Sequence, residues 1–340
     1  MINKVELRNF GPLRKVSWNN LGKINLITGD NGAGKSFLLK SMYSAMRTIE
    51  EYRRGDDRRN VAEILSEKLY WTFQSDRIGD LVTKSSDESL LCEVVFDGRE
   101  FSYRFGKDTT KNIGVIINQV PTRESNSIFL PAKEVLSIFH LIIESREKDR
   151  LFGFDDTYYD LVRALQYPRK GGKNYAEFAD SRKELDRILG GKVVYDESTK
   201  RWIFKKGNQR FSIGVTAEGI KKIAILDTLL ANRYLTADSI IFIDEPESAL
   251  HPTAISSLMD IILLLSQRGI QFFLASHSYF VIKKLYLIAS GNNISIPFIS
   301  LSADSANEPR YDDLANGMPD NSIIDESIRL YKEEMDGALK

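Results

Sequence analysis

Cysteine is nearly absent from this chain: one residue, Cys92, occurs among 340. It permits no internal disulfide and no cysteine-rich metal site. Net charge is also missing, because 47 Lys plus Arg balance 47 Asp plus Glu. Charge therefore does not imply a nucleic-acid partner, although a local basic patch stays open. No long apolar run exists. The most apolar stretches, Ile240–Ile243 and Met259–Leu265, fall far short of the ~20 residues that cross a bilayer, so no membrane partner is expected. The opening residues, Met1 to Arg8, carry charge throughout and lack the apolar core of a signal peptide. The expected compartment is the cytoplasm. With 42% apolar and 28% charged residues, the chain has the make-up of a globular protein with one large domain, or a core with a sizeable insertion.

The pattern along the chain predicts a mixed α/β fold. Lys23 to Thr28 is a compact apolar run leading into a Gly-rich loop. After it, Leu38, Leu39, Met42, Ala45 and Met46 share one helical face within Phe37 to Ile49, and Val61 to Leu69 reads as a second helix. Leu91 to Phe96 and Glu100 to Phe105 flank Asp97-Gly98, a hairpin signal. The texture then changes. Val135, Leu136, Ile138, Phe139, Leu141 and Ile142 predict a helix, followed by a charge-rich, tyrosine-containing stretch. We divide the chain accordingly into 1–134, a helical insertion at 135–189, and 190–340. Three short strands are expected at Lys192–Tyr195, Arg201–Phe204 and Gln209–Ile213. Helix (Glu218–Asn232), strand (Ser239–Ile243), helix (Ala254–Ser266) and strand (Gln271–Ala275) then alternate, which indicates a parallel sheet covered by helices.

Two motifs carry chemistry. Gly29-Asp30-Asn31-Gly32-Ala33-Gly34-Lys35-Ser36 satisfies the P-loop pattern between an apolar strand and a helix. Such a loop turns backbone N–H groups inward as an anion nest, and the helix N-terminus adds positive dipole. Gly29, Asn31, Gly32, Gly34, Lys35, Ser36 and Phe37 form the expected phosphate-binding set. Lys35 supplies charge to the β- and γ-phosphates, and the Ser36 hydroxyl is a ligand for Mg²⁺. The second motif, Ser239 to Glu245, is an apolar strand ending in two adjacent acids. Paired carboxylates there cost free energy unless something neutralises them. Asp244 is placed to hold Mg²⁺ through water, and Glu245 to act as general base.

Asp244-Glu245-Pro246-Glu247-Ser248-Ala249-Leu250-His251 resembles the Walker B and D-loop of ABC-type ATPases, in particular the branch containing RecF, SMC and overcoming-lysogenisation (OLD) proteins. Leu7 to Leu13 resembles the first strand and turn of that branch, and Phe273 to Ser278 its strand ending in a switch histidine. Only three histidines occur in the chain, and two of them, His251 and His277, fall in these motifs. The resemblance implies an α/β P-loop core sheet with an N-terminal antiparallel portion and a helical lobe. It implies ATP and Mg²⁺ as cofactors, and His277 as a catalytic group that senses the γ-phosphate. It further implies two ATPs sandwiched in a homodimer, or a higher even assembly, with Thr216 and Gly219 of one chain capping the nucleotide of the other. Those two residues stand where the family has a Ser-x-Gly signature; Glu218 between them is a departure, and an N-capped helix explains the same residues. The family's glutamine loop is not matched either. Its place reads Ile128 to Glu134 without glutamine, Gln119 being a weak substitute.

The expected function is an ATP-hydrolysing, ATP-gated dimeric switch. The transporter signature is missing and no run of acids after His277 suggests a Toprim nuclease, so a regulatory ATPase of a bacterial defence or toxin-type assembly, with a separate nuclease or toxin effector, comes first. A RecF-like DNA-repair clamp is the second reading and a nucleotide-gated scaffold the third. For the second, Arg53-Arg54 and Arg58-Arg59 form a short basic cluster broken by Asp56-Asp57.

Overall fold

The computed structural model of the chain describes residues 1–168, 178–304 and 308–338. From the N-terminus the elements run β1 (Ile2–Phe10), β2 (Leu13–Trp18), β3 (Ile24–Gly29), α1 (Lys35–Glu51), α2 (Val61–Phe73), β4 (Leu90–Phe96), β5 (Arg99–Phe105), β6 (Val115–Asn118) and β7 (Ser127–Leu130). The middle of the chain holds α3 (Phe139–Glu147), α4 (Asp156–Leu165), α5 (Ala179–Leu189), β8 (Lys192–Asp196), β9 (Arg201–Lys206) and β10 (Gln209–Ser212). It closes with α6 (Glu218–Ala231), β11 (Ile240–Asp244), α7 (Pro252–Gln267), β12 (Gln271–Ala275), α8 (Tyr279–Asn292), β13 (Pro297–Leu301), β14 (Arg310–Asp313) and α9 (Ser322–Ala338).

A six-stranded sheet in the order β14-β13-β3-β12-β11-β7 forms the centre, parallel except for β14. Strands β3, β7, β11, β12 and β13 are buried on both faces, which is why they read as apolar runs. Side-chain alternation splits them between two cores. Ile241, Ile243, Phe272 and Leu274 face the helices α6, α7 and α8. Ile240, Phe242, Phe273 and Ala275 face α1 and the second sheet. On that side Phe242 stacks on Phe273 at 5.2 Å between ring centroids and meets Tyr43 edge-on at 5.8 Å. Burying one such ring is worth roughly 1.5–3 kcal/mol.

The second sheet, β2-β1-β4-β5-β6, is antiparallel throughout. Its β4–β5 hairpin turns on Asp97 (φ 48°) and Gly98 (φ 75°), the two left-handed positions of a tight two-residue turn. A third sheet, β10-β9-β8, stands apart from the centre. It packs on α3 through Trp202 and Tyr195 against Phe139.

The expected α/β architecture, parallel core and antiparallel N-terminal portion are all present. One helix begins later than its apolar pattern suggests. Val135 and Leu136 are buried, yet α3 starts only at Phe139. Glu134 accepts the Ser137 N–H at 3.2 Å, turning the chain before the helix can begin. Residues 169–177 of the expected helical insertion lie outside the described residues.

Candidate functional site

The loop between β3 and α1 is shaped by where β3 ends. Gly29 has φ 137°, and a Cβ there would stand 2.0 Å from the Leu301 carbonyl of β13, so only glycine fits. Helix α1 then starts at Lys35 with no side-chain cap at Gly34, leaving its first N–H groups available to an anion. Asn31 and Gly32 form the exposed tip, and Lys35 is buried. Its Nζ donates to the carbonyls of Gly29 (2.8 Å) and Asp30 (2.7 Å). Burial holds the Lys35 ammonium below its ordinary pKa, while Asp244, Glu245 and Asp30 pull the other way. The Phe37 ring packs on Phe10 (5.4 Å) and Phe73 (4.6 Å), so its side chain belongs to the core and only its main chain faces the loop.

Strands β3, β11 and β12 are neighbours and parallel, so their C-terminal ends deliver the two motifs and His277 to one edge. Asp244 closes β11. Burial pushes its carboxyl above the usual range, opposed by the Ser36 hydroxyl and reinforced by the Glu245 charge. Glu245 leaves the strand in a left-handed conformation (φ 48°), fixed by its N–H donating to the Ala275 carbonyl at 2.9 Å. Non-glycine residues held there carry strain, and such positions cluster at functional sites. From β12, His277 places Nδ1 3.6 Å from Glu245 Oε1 and 3.7 Å from Glu247 Oε1. His251 sits elsewhere in function: it caps α7, accepting the Thr253 N–H at 3.3 Å.

The signature-like loop leads into α6, whose N-cap is Ala217 with no side-chain cap. The capped-helix explanation of Thr216 is therefore not realised; its hydroxyl bonds the Ser212 carbonyl at 3.2 Å. Gly219 has a requirement within its own chain. A Cβ there would come within 2.5 Å of Leu250 Cδ2 and 3.3 Å of the Ala249 carbonyl. Helix α6 thus packs directly on the turn after β11. Two lysines that sequence reasoning passed over tie it further. Lys222 Nζ donates to the Glu245 carbonyl at 3.1 Å, and burial lowers its pKa against the pull of Glu247 and Glu245. Lys221 pairs with Glu134 at 3.1 Å and bonds Ser137 Oγ at 2.8 Å. Glu134 occupies the junction where a glutamine was sought, while Gln119 is exposed beyond β6. Nothing in residue type alone marks Lys221, Lys222 or Glu247, because their roles depend on which turn each reaches. The basic cluster is partly spent: Arg59 pairs with Asp57 (2.5 Å) and with Glu67, and Arg54 bonds Asn126 and the Glu124 carbonyl.

The donor set suits a phosphate chain with Mg²⁺ rather than a metal caged by protein. Among the described residues no group of three or more His, Cys, Asp or Glu is disposed around a cation. A hydroxyl and a carboxyl beside an uncapped helix N-terminus and a buried lysine are groups that a magnesium–phosphate chain would fit. Among the same residues no helix is long and apolar enough to cross a membrane.

Comparison with known proteins agrees with this geometry. Residues 24–283 match the family described as "AAA domain, putative AbiEii toxin, Type IV TA system". An ATP/GTP phosphatase of Helicobacter pylori is 22% identical, over 82% of this chain and 85% of that protein. An uncharacterized protein of Methanocaldococcus jannaschii is 32% identical over 104 residues, 30% of this chain; the match spans 44% of that relative's length. Among solved structures, an SMC head bound to the C-terminal winged-helix domain of ScpA superposes with a TM-score of 0.57 at 15% identity, covering 93% of this chain and 98% of that one. This last likeness bears on the fold alone. With its P-loop, its paired acids and its ABC-type head fold, the chain belongs to this AAA-domain family of P-loop ATPases.

Proposed function

We propose that this chain binds and hydrolyses ATP as a Mg²⁺-dependent dimeric switch that regulates a separate effector. The observation that carries the reading is the convergence of Lys35, Ser36, Asp244, Glu245 and His277 at the ends of three adjacent parallel strands. Gly29, Asn31, Gly32 and Gly34 shape the loop whose N–H groups, with those of Ser36 and Phe37, bind the phosphates. Lys35 exchanges its two loop carbonyls for phosphate oxygens, gaining a charge-assisted partner for a buried ammonium. Ser36 and, through water, Asp244 would hold Mg²⁺, which would supply positive charge beside the phosphates. Glu245 takes the proton of the attacking water, and His277, beside it, contacts the terminal phosphate.

In this reading Thr216, Gly219 and the start of α6 meet the nucleotide of a second copy, so that ATP closes the dimer and hydrolysis reopens it; the uncapped N-terminus of α6 supports it. The toxin and toxin–antitoxin wording of the matched family supports a defence or toxin-type assembly with a nuclease or toxin as the effector. The test is Glu245→Gln against wild type, measuring phosphate release and solution mass with and without Mg-ATP. The expected variant releases phosphate at least ~100-fold more slowly, since a general base contributes 10²–10⁴-fold, and accumulates as an ATP-dependent dimer. A wild type that neither hydrolyses ATP nor changes mass with it sinks the reading. Strong stimulation of wild-type hydrolysis by duplex DNA would move it to a DNA-gated clamp.

A further inference from the structure

Glu247 lies two residues beyond Glu245, and its side chain is only 10% exposed. One carboxylate oxygen, Oε1, accepts two hydrogen bonds from the end of β12: the Ser276 hydroxyl at 2.9 Å and the His277 N–H at 3.1 Å. Ser276 is itself fixed, donating its N–H to the Ile27 carbonyl of β3 at 2.9 Å and accepting the Ser278 N–H on its hydroxyl at 3.0 Å. The acid therefore bolts the turn after β11 to the segment carrying the switch histidine. On the other side the same turn is held by Lys222 of α6 through the Glu245 carbonyl. The second oxygen, Oε2, is buried without a hydrogen-bond partner among the described residues.

We propose that Glu247 is a positioning residue for hydrolysis, holding the His277 main chain so that its ring stands beside Glu245. The proposal rests on the ATPase reading above. Glu247 reaches no phosphate in this account; it acts through His277, and what matters is the acceptor at Oε1 rather than the charge. Without that acceptor the end of β12 is released from the turn and His277 loses its register with Glu245. A misplacement of about 1 Å costs as much as ~100-fold in rate. Loop, lysine and Mg²⁺ contacts with the nucleotide are untouched, so the effect falls on kcat rather than on affinity.

The experiment compares wild type, Glu247→Ala, Glu247→Gln and Ser276→Ala for kcat, KM and the affinity of a fluorescent ATP analogue. Glu247→Ala is expected to lower kcat at least ~10-fold with KM and affinity within about threefold of wild type. Glu247→Gln keeps an acceptor at the same place and is expected to retain kcat within about threefold, and Ser276→Ala to fall between the two. The proposal is overturned if Glu247→Ala keeps its kcat, if glutamine is as damaging as alanine, or if kcat and affinity fall together. Should Glu247→Ala fail to fold, a folded Ser276→Ala at wild-type rate overturns it, and a several-fold loss of kcat at unchanged affinity supports it. A wild type that hydrolyses no ATP overturns the underlying reading and this proposal with it. A hydrolysing wild type whose Glu247→Ala matches it overturns the proposal alone.

Discussion

At the scale of single residues, motif and context carry different information. Lys35, Asp244 and Glu245 are legible because a short local pattern dictates each one. Glu247 and Lys222 are not, since the first is defined by a bond to the next strand and the second by a bond across from α6. Cys92 shows the same limit. Its sequence neighbours are strand residues, but the fold buries its thiol completely, opposite Leu7 in β1 and Tyr103 in β5. Burial pushes the thiol from 9.0 up to about 12. Because the folded value is raised, the thiol's contribution to stability is fully present below pH ~9 and is lost as pH climbs toward ~12. At pH 10 that loss amounts to about 1.4 kcal/mol. Urea unfolding at pH 8 and pH 10 should therefore show a smaller drop for Cys92→Val than for wild type, by about 1.4 kcal/mol. Equal drops would mean that the thiol is accessible to water in the folded chain.

Elements are legible where one periodicity dominates. Helix α1, the β4–β5 hairpin and the strand pair β11–β12 follow their patterns closely. The segment after His277 does not announce itself. Tyr279, Phe280, Val281 and Ile282 favour a strand by propensity, yet they open α8, because Val281, Ile282, Leu285, Ile288 and Ala289 bury one helical face. Strand β14 carries Tyr311, Asp312 and Asp313, a poor strand composition. It is held at the sheet edge by its pairing with β13 and by the Tyr311 hydroxyl, which accepts the Ser17 N–H at 2.8 Å. The joint between the P-loop helix and the inserted helices is equally invisible in sequence. Lys68 on α2 meets Glu51 of α1 at 2.9 Å and Asp156 and Asp160 of α4 at 3.2 Å each. Tyr43 of α1 donates to Asp160 at 2.7 Å, and Arg146 pairs with Asp156. Burial lifts the Asp156 carboxyl to about 6 despite the Lys68 cation. Lys68→Met keeps the stem and removes the charge, leaving buried acids short of a partner, so a loss of roughly 3–5 kcal/mol is expected. Adding Asp156→Asn should recover part of it, since the pair is coupled. Urea denaturation of the two single variants and the double variant measures both quantities. Additive losses would show that the cluster is solvated and the three helices are not joined through it.

For the whole molecule, the proposed dimer makes the sharpest demand, because it assigns Thr216 and Gly219 to the nucleotide of the other copy. Lys35, Ser36, Asp244, Glu245 and His277 gather at the strand ends, while Gly219 is pressed against the turn at Ala249 and Leu250. In a sandwich the start of α6 serves the other copy's nucleotide, and two-fold symmetry repeats the exchange. Two inactive chains should then rescue each other. Lys35→Ala destroys phosphate binding in its own chain, and Thr216→Trp blocks the cap offered to the partner. Thr216 is the better choice of the two signature positions, because a change at Gly219 would also disturb the turn within its own chain. In a mixed dimer, one site unites both lesions and the other unites the intact halves. Each variant alone should be inactive, and mixed dimers isolated with two different tags should hydrolyse ATP at about half the wild-type rate. If every site were complete within one chain, the Lys35→Ala copy would stay dead and the Thr216→Trp copy would be no better in the mixed dimer than alone. Absence of rescue in mixed dimers that still bind ATP would therefore rule out the exchange of signature loops between copies.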